Sequence, residues 1–370
     1  MSENSRPKLH YISCTYLDKI KNQSFETEDY TCSQGVMLKE VPVINLKADE
    51  VDLAKQLRQA CTNVGFFYLE GHDVPECLMK KVLKASKKLF DLPLDEKLAV
   101  QDKEMTRGYT PMEEETLDPA SQPERGDTKE GYSVGRDVPK GSKFYNPEKL
   151  SGPNMWPTPS RCPSWNEKEC EEWKETMNGY FEVMMKLGLR VVQYLALSLG
   201  LPKDFFNSSF DAPIAVLRLL HYASEPSDPE QGLFACGAHS DYGMITLLLT
   251  DDNPGLQIFT KDEKWIDVPP KKGKFVVNLG DMLERWTNGL FRSTRHRVII
   301  PMRDNYEGSD RYSIPFFFEP NFDTVVECLE VCCRDAETGQ SVAPKYAKTT
   351  SGHHLLEKYR QTHADFSPKS

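Results

Sequence analysis

Little in this chain announces a membrane, a secretory route or a nucleic acid. No apolar run approaches the roughly 18 residues that a membrane span needs. The opening MSENSRPKLHYISC has no apolar stretch of about 7–15 residues, so a secretory signal is not expected. Basic charge is the scarcer sign, with 46 Lys and Arg against 56 Asp and Glu and a net charge of −10. That balance leaves no cationic footprint for nucleic acid or an anionic membrane, and neither partner is expected. None of the ten cysteines (14, 32, 61, 77, 162, 170, 236, 328, 332 and 333) belongs to a CxxC pair. Scattered in this way, without a signal, they point to reduced thiols and a cytoplasmic setting. The cluster Cys328, Cys332, Cys333 lacks zinc-site spacing. Internal repeats are absent too, and an acidic monomer is the default expectation.

What is present is the texture of a globular chain, 39% hydrophobic and 28% charged over 370 residues, enough for one large domain or two ordinary ones. Residues 1–40 are polar and aperiodic and are taken as an extension. In the region 41–165, VPVINL suggests a short buried strand. A helix follows, with the stripe Val51, Ala54, Leu57, Cys61 and Val64 and Gly65 as its stop. GFFYLEGHDV reads as strand and turn, and CLMKKVLKASKKLF as a second amphipathic helix. Residues 104–165 look irregular, and a connection that long is more often functional than idle. The region 166–335 opens with the strongest helix, 171–199, striped by Trp173, Met177, Tyr180, Met184, Leu187, Val191 and Leu195. Short β-rich runs follow: IAVLRLLHYA, MITLLLT, GLQIFT, KWIDVPP, KFVVNLG, RHRVIIP and YSIPFFFEP. This series suggests a sandwich or jelly roll of antiparallel strands. The tail, 336–370, is polar, with a short helix possible at 352–362.

Of eight histidines, His10, His353, His354 and His363 lie in polar terminal segments and are expected in solvent. His72 sits in a Gly-His turn and suits a backbone hydrogen bond. His221 lies inside a strand pattern and could face either way. His239 and Asp241, in GAHSDYGMITLLL, are i and i+2, so an extended chain points both at one place. His296 heads another apolar run, and intervening strands could return it beside the pair. Two imidazoles and one carboxylate form the facial triad that suits non-haem Fe(II) with coordination positions left open. The tripeptide alone occurs often by chance; the distant histidine in a β-rich frame strengthens it. Arg311 and Ser313, in RYSIPFFFEP, also share a face. A guanidinium with a nearby hydroxyl matches a carboxylate, and a structural ion pair is the alternative.

Taken together, these motifs resemble the 2-oxoglutarate- and Fe(II)-dependent dioxygenases of the isopenicillin N synthase type, over roughly residues 40–335. VPVINL, GFFYLEGHDVPE, the long helix, GAHSDYGMITLLLTDDNPGLQI, VVNLGDMLERWTNG, STRHRV and RYSIPFFFEP carry the likeness. RGYTPMEEETLDP resembles a branch labelled hyoscyamine-dioxygenase-like. The resemblance implies a mainly β, α+β fold: a double-stranded β-helix (jelly roll) core flanked by N-terminal helices and a long central one. It implies His239, Asp241 and His296 as catalytic iron ligands. Arg311 and Ser313 would hold the far carboxylate of 2-oxoglutarate, and Tyr222 would help. The family commonly has Asn two residues before that tyrosine, where this chain has Leu220. The implied reaction takes 2-oxoglutarate and O₂ to succinate and CO₂, with ascorbate as a supporting reductant. It oxidises a small-molecule, specialised-metabolite substrate by hydroxylation, desaturation, demethylation or cyclisation. Asp241 argues against halogenation, which needs a small residue there. Phe317 and Glu319 match pocket positions of relatives, and Tyr109, Glu130 and Tyr132 come from the lid-like segment. Glu130 or Glu319 could pair with a basic amine. Two other readings stand beside this one: an Fe(II) oxidase of the same fold that uses no 2-oxoglutarate, and a non-catalytic jelly roll that binds a metal or small molecule.

Overall fold

The computed structural model describes residues 40–102, 107–301, 310–334 and 340–362. The expected extension lies outside the described residues apart from its last position. The strands in chain order are β1 (Val43–Asn45), β2 (Phe66–Glu70), β3 (Gln101–Asp102), β4 (Arg107–Thr110), β5 (Lys129–Gly135), β6 (Pro213–Tyr222), β7 (Cys236–His239) and β8 (Ile245–Thr250). They continue with β9 (Leu256–Phe259), β10 (Trp265–Asp267), β11 (Phe275–Leu279), β12 (His296–Val298), β13 (Arg311–Asn321), β14 (Val325–Val326) and β15 (Thr349–Thr350). The α-helices are α1 (Glu50–Asn63), α2 (Glu76–Phe90), α3 (Leu94–Leu98), α4 (Glu167–Ser198), α5 (Asp281–Trp286) and α6 (Ser351–Thr362).

Local chemistry explains the helix ends. Asp49 caps α1 by accepting the Val51 N–H, and Gly65 follows its end at φ +73°, where a Cβ would collide with the Arg292 carbonyl. The buried stripe of α1 is Leu53, Leu57, Ala60 and Cys61. Val51, expected inside, is 52% exposed because the first turn points it outward and Leu53 takes the inner position. A reciprocal capping box of Asn166 and Glu169 starts α4, and its whole expected stripe is buried. α4 lies against the back of the larger sheet. Phe181 meets Phe316 edge-on at 5.4 Å, and a Cβ on Gly188 would stand 2.8 Å from the Phe318 ring. Trp173 packs among Tyr132, Trp156 and Trp165, and truncating so large a buried ring costs roughly 3–5 kcal/mol.

The larger sheet has nine strands in the order β1-β2-β11-β8-β13-β6-β5-β4-β3, and the smaller has four, β10-β9-β12-β7. The N-terminal strands therefore extend the same sheet as the jelly-roll strands, β1-β2 on one side and β3–β5 on the other. The stretch expected to be irregular contributes β4 and β5. β5 reads KEGYSVG and is buried along its whole length, yet its charges and glycines hide any apolar period. On the face of β13 turned from α4, alternation aligns Arg311, Ser313, Phe317 and Glu319. Its register puts Tyr222 opposite Arg311, Leu220 opposite Ser313 and Val216 opposite Phe317.

Candidate active site

In the smaller sheet, β12 runs antiparallel to β7, and its register sets His296 directly opposite His239. Asp241 follows two residues beyond, at the turn into β8. The three side chains converge: each offers one ligand atom, and these lie within 4.8 Å of one another. Asp241 Oδ1 is 3.7 Å from His239 Nε2 and 3.6 Å from His296 Nε2.

The surroundings fix which atoms face inward. His239 Nδ1 donates to the Gly237 carbonyl at 2.8 Å, and His296 Nδ1 to the Thr294 carbonyl at 3.2 Å. Both Nε2 lone pairs are left for an ion. Asp241 Oδ2 accepts from the Thr246 hydroxyl and from Asn278 Nδ2, the latter at 2.6 Å, and Oδ1 stays open. Burial, and then the charge of His239, push the His296 imidazole down to about 4, which keeps it in the neutral, ligating form. Burial raises the Asp241 carboxyl, but the two imidazoles and its two hydrogen-bond donors outweigh that and hold it below the usual range. Two imidazoles and a carboxylate, each oriented from behind, suit Fe(II).

Along the larger sheet, Arg311 is 2% exposed, and its Nε and Nη1 have no hydrogen-bond partner. Its guanidinium lies 4.9 Å over the Tyr222 ring, and the Tyr222 hydroxyl is 3.5 Å from the buried Ser313 hydroxyl. A buried guanidinium with open N–H groups beside two hydroxyls fits a ligand carboxylate and disfavours the internal ion-pair alternative.

A cavity of about 210 Å³ begins at His239 and Asp241 and runs along the face of the larger sheet. Phe317 and Glu319 line it, with Ile214, Val216 and Arg218 from β6 and Leu355 and Tyr359 from α6, while Tyr109 borders it with its hydroxyl turned away to Glu130. The Glu319 carboxylate lies in the space where Gly243 lacks a side chain and accepts the Met244 N–H. Burial raises its carboxyl to about 8, which disfavours the charged form that a counter-ion for an amine would need. Glu130 and Tyr132 are not among the lining. The alternation of β5 turns them to the opposite face. There Glu130 binds Lys97 (2.7 Å), the Tyr109 hydroxyl (2.5 Å) and His221 (2.7 Å), and Tyr132 bonds the Met155 carbonyl.

Two histidine expectations change or sharpen. His354 is buried, not solvated, and bonds the Tyr242 carbonyl at 3.0 Å. His72 does bridge backbone groups, Gly273 O and Val74 N. His10 and His363 lie outside the described residues. Sequence reasoning missed Thr246, Asn278, Arg107, Arg218 and the α6 pair Leu355 and Tyr359. Asn278 had left a signal, as a lone amide inside the apolar strand FVVNL.

An Fe(II) ion and a dicarboxylate are what this corner of the jelly roll can hold together, the pair that defines the 2-oxoglutarate-dependent oxygenases. The chain belongs to the non-haem, 2-oxoglutarate- and Fe(II)-dependent oxygenase family. Residues 41–159 match the family model described as non-haem dioxygenase in morphine synthesis N-terminal, and residues 213–320 match the 2OG-Fe(II) oxygenase superfamily. The 2-oxoglutarate-Fe(II) type oxidoreductase hxnY of Emericella nidulans is 37% identical over 85% of this chain and 86% of its own. Kihadalactone A synthase LFS of Citrus sinensis is 35% identical over 88% and 95%. The structure of a full-length Neurospora crassa protein in complex with alpha-KG and thymine superposes with a TM-score of 0.73, at 30% identity over 87% of this chain and 96% of that one. The protein is thus a 2-oxoglutarate-dependent dioxygenase acting on small molecules, with Fe(II) and 2-oxoglutarate as cofactor and co-substrate. The oxidase that would dispense with 2-oxoglutarate finds no support among these relatives.

Proposed function

We propose that this chain works as a monomer in the cytoplasm, without nucleic acid or membrane, and oxidises a specialised metabolite small enough for the cavity beside His239 and Asp241. The observation that carries the co-substrate assignment is Arg311, buried with two N–H groups open. His239, Asp241 and His296 would hold the iron, which supplies the oxidising chemistry when bound with 2-oxoglutarate and O₂. The chain's own part is positional. Thr246 and Asn278 hold Asp241 in one rotamer, and the two Nδ1–H groups fix the imidazole planes. Arg311 and Ser313 would take the distal carboxylate. Phe317, Ile214 and Val216 keep one wall of the cavity apolar and limit water near the reacting carbon. The cytoplasmic reading is supported by free thiols at all eight described cysteines.

Anaerobic titration with Fe(II) and 2-oxoglutarate, followed by the visible absorption of their complex, tests the assignment. The band should form in the wild type and weaken in Arg311→Ala. Iron binding without a band would sink the 2-oxoglutarate reading. Light scattering of the purified protein checks the monomer.

A further inference from the structure

The cavity face of β5 reads Lys129, Gly131, Ser133, Gly135 in alternate positions. The two glycines make room for two guanidinium groups. Arg218, from β6, lies over Gly131, where a Cβ would stand 3.2 Å from its Nε and Nη2. Arg107, from β4, crosses Gly135, where a Cβ would stand 2.1 Å from its Cζ. Ser133 lies between them on the same face, its register partners being Arg218 on β6 and Gly108 on β4. Arg107, Ser133 and Arg218 all line the cavity that reaches His239 and Asp241.

The two guanidiniums are unequally satisfied. Arg218 Nη2 is 2.7 Å from Glu115 Oε1, which offsets its charge, but its buried Nε has no partner. Arg107 is 4% exposed, donates from Nη2 to the Leu150 carbonyl at 3.1 Å, and leaves Nε buried and unbonded. Among the described residues no carboxylate forms an ion pair with it. The neighbouring Asp137 is committed to Trp156 Nε1 (2.8 Å) and the Asn154 N–H (2.9 Å). Burial pushes the Arg107 guanidinium down against the charges of Tyr359, Asp102 (its register partner on β3) and Asp137, and a buried guanidinium with an open N–H is costly unless something completes it. The Glu319 carboxylate, on β13 of the same sheet, is engaged by the Met244 N–H.

We propose that the substrate is a small carboxylic acid whose carboxylate sits against Arg107 and Arg218 across Ser133, leaving its other end toward His239 and Asp241. This rests on the reading of the cavity as the substrate site of a 2-oxoglutarate-dependent oxygenase. A guanidinium fork matches a carboxylate in geometry as well as charge. The assignment inverts the expectation of a basic amine: Glu130 is outside the cavity, Glu319 is engaged by the Met244 N–H, and the lining Glu115 and Glu114 are committed to Lys129 with Arg218 and to Gln101.

The test uses the full chain loaded anaerobically with Fe(II) and saturating 2-oxoglutarate. Benzoate is titrated against benzamide, and cyclohexanecarboxylate against its amide, while changes in the visible band of the iron–2-oxoglutarate complex are followed. The acids should perturb the band at concentrations at least about tenfold lower than the amides, the fold-change of one lost charge-assisted contact. Arg107→Gln should erase that preference, and Arg107→Lys should keep part of it. Equal response to acid and amide, no response to either, or an unchanged preference in Arg107→Gln would overturn the proposal. So would loss of the band on adding acid, which reports competition at Arg311. If Arg107→Gln fails to fold, the wild-type comparison of acid with amide decides alone. Absence of the band before any acid is added is a separate result: it removes the oxygenase reading itself, and the proposal with it.

Discussion

The metal corner and the ligand corners of this cavity are built on opposite accounts of hydrogen bonding. Around His239, Asp241 and His296 the outward-facing polar atoms meet protein partners: two backbone carbonyls, a threonine hydroxyl and an asparagine amide. Along the larger sheet, Arg311 and Arg107 are buried and Arg218 is half-buried, each with a buried N–H left open. Buried polar groups are nearly always satisfied, so open ones cluster where a ligand completes them. The difference separates two tasks. A metal site needs its side chains fixed before the ion arrives, whereas a site for an exchanging ligand must leave the final contacts to that ligand.

That contrast breaks most sharply at the triad. Asp241→Ala or His296→Ala should reduce Fe(II) binding and succinate formation below detection, with the fold preserved by circular dichroism. Retained iron-dependent turnover would show that the metal corner had been misassigned. Arg311→Ala acts on the open side and should raise the 2-oxoglutarate KM roughly 30- to 1,000-fold, the equivalent of about 2–4 kcal/mol for losing one partner of a buried charge pair. A KM within a few-fold of wild type would place the co-substrate elsewhere.

The legibility of the two corners differed for a related reason. His239 and Asp241 share a strand parity, and Arg311 and Ser313 share another, so period two made both pairs visible. Their convergence was not in any spacing: it depends on β12 pairing with β7, a contact between segments far apart in sequence. Glu130 and Tyr132 show the opposite failure. They stood in the right segment, but no apolar alternation marked KEGYSVG as a strand, so the face each residue takes could not be read. The glycines that seat Arg218 and Arg107 were invisible for the same reason, since a glycine's use depends on what crosses it. Leu355 and Tyr359, four apart on α6, reach the cavity only through tertiary packing of a tail that composition marks as polar.

The supports behind Asp241 allow a finer test. Asn278→Leu and Thr246→Val each remove one donor to Oδ2 while keeping volume, and should weaken Fe(II) affinity by about 10–100-fold. The 2-oxoglutarate KM measured at saturating iron should move much less. Iron titration by calorimetry checks the first effect. Unchanged iron affinity in both variants would mean that Asp241 does not depend on its orienting partners.

Glu319 lies on the border between the two corners, and its protonation decides to which it belongs. Its folded carboxyl is raised to about 8, chiefly by burial, above the ordinary glutamate value of 4.5. Between these values the folded state holds a proton that the unfolded state releases, so stability falls as pH rises through that window and levels off above it. The whole difference corresponds to roughly 4–5 kcal/mol. Glu319→Gln keeps the shape and can still accept the Met244 N–H, but it cannot ionise. In metal-free protein, wild type and variant should therefore be similarly stable near pH 4.5, and the variant should gain progressively toward pH 8, read as a widening gap in denaturant midpoint. A gap that stays constant, or one that closes with rising pH, would show that Glu319 is charged in the folded protein. The cavity would then carry a further anion on the same sheet as Arg107, and the open side would be less open than its geometry indicates.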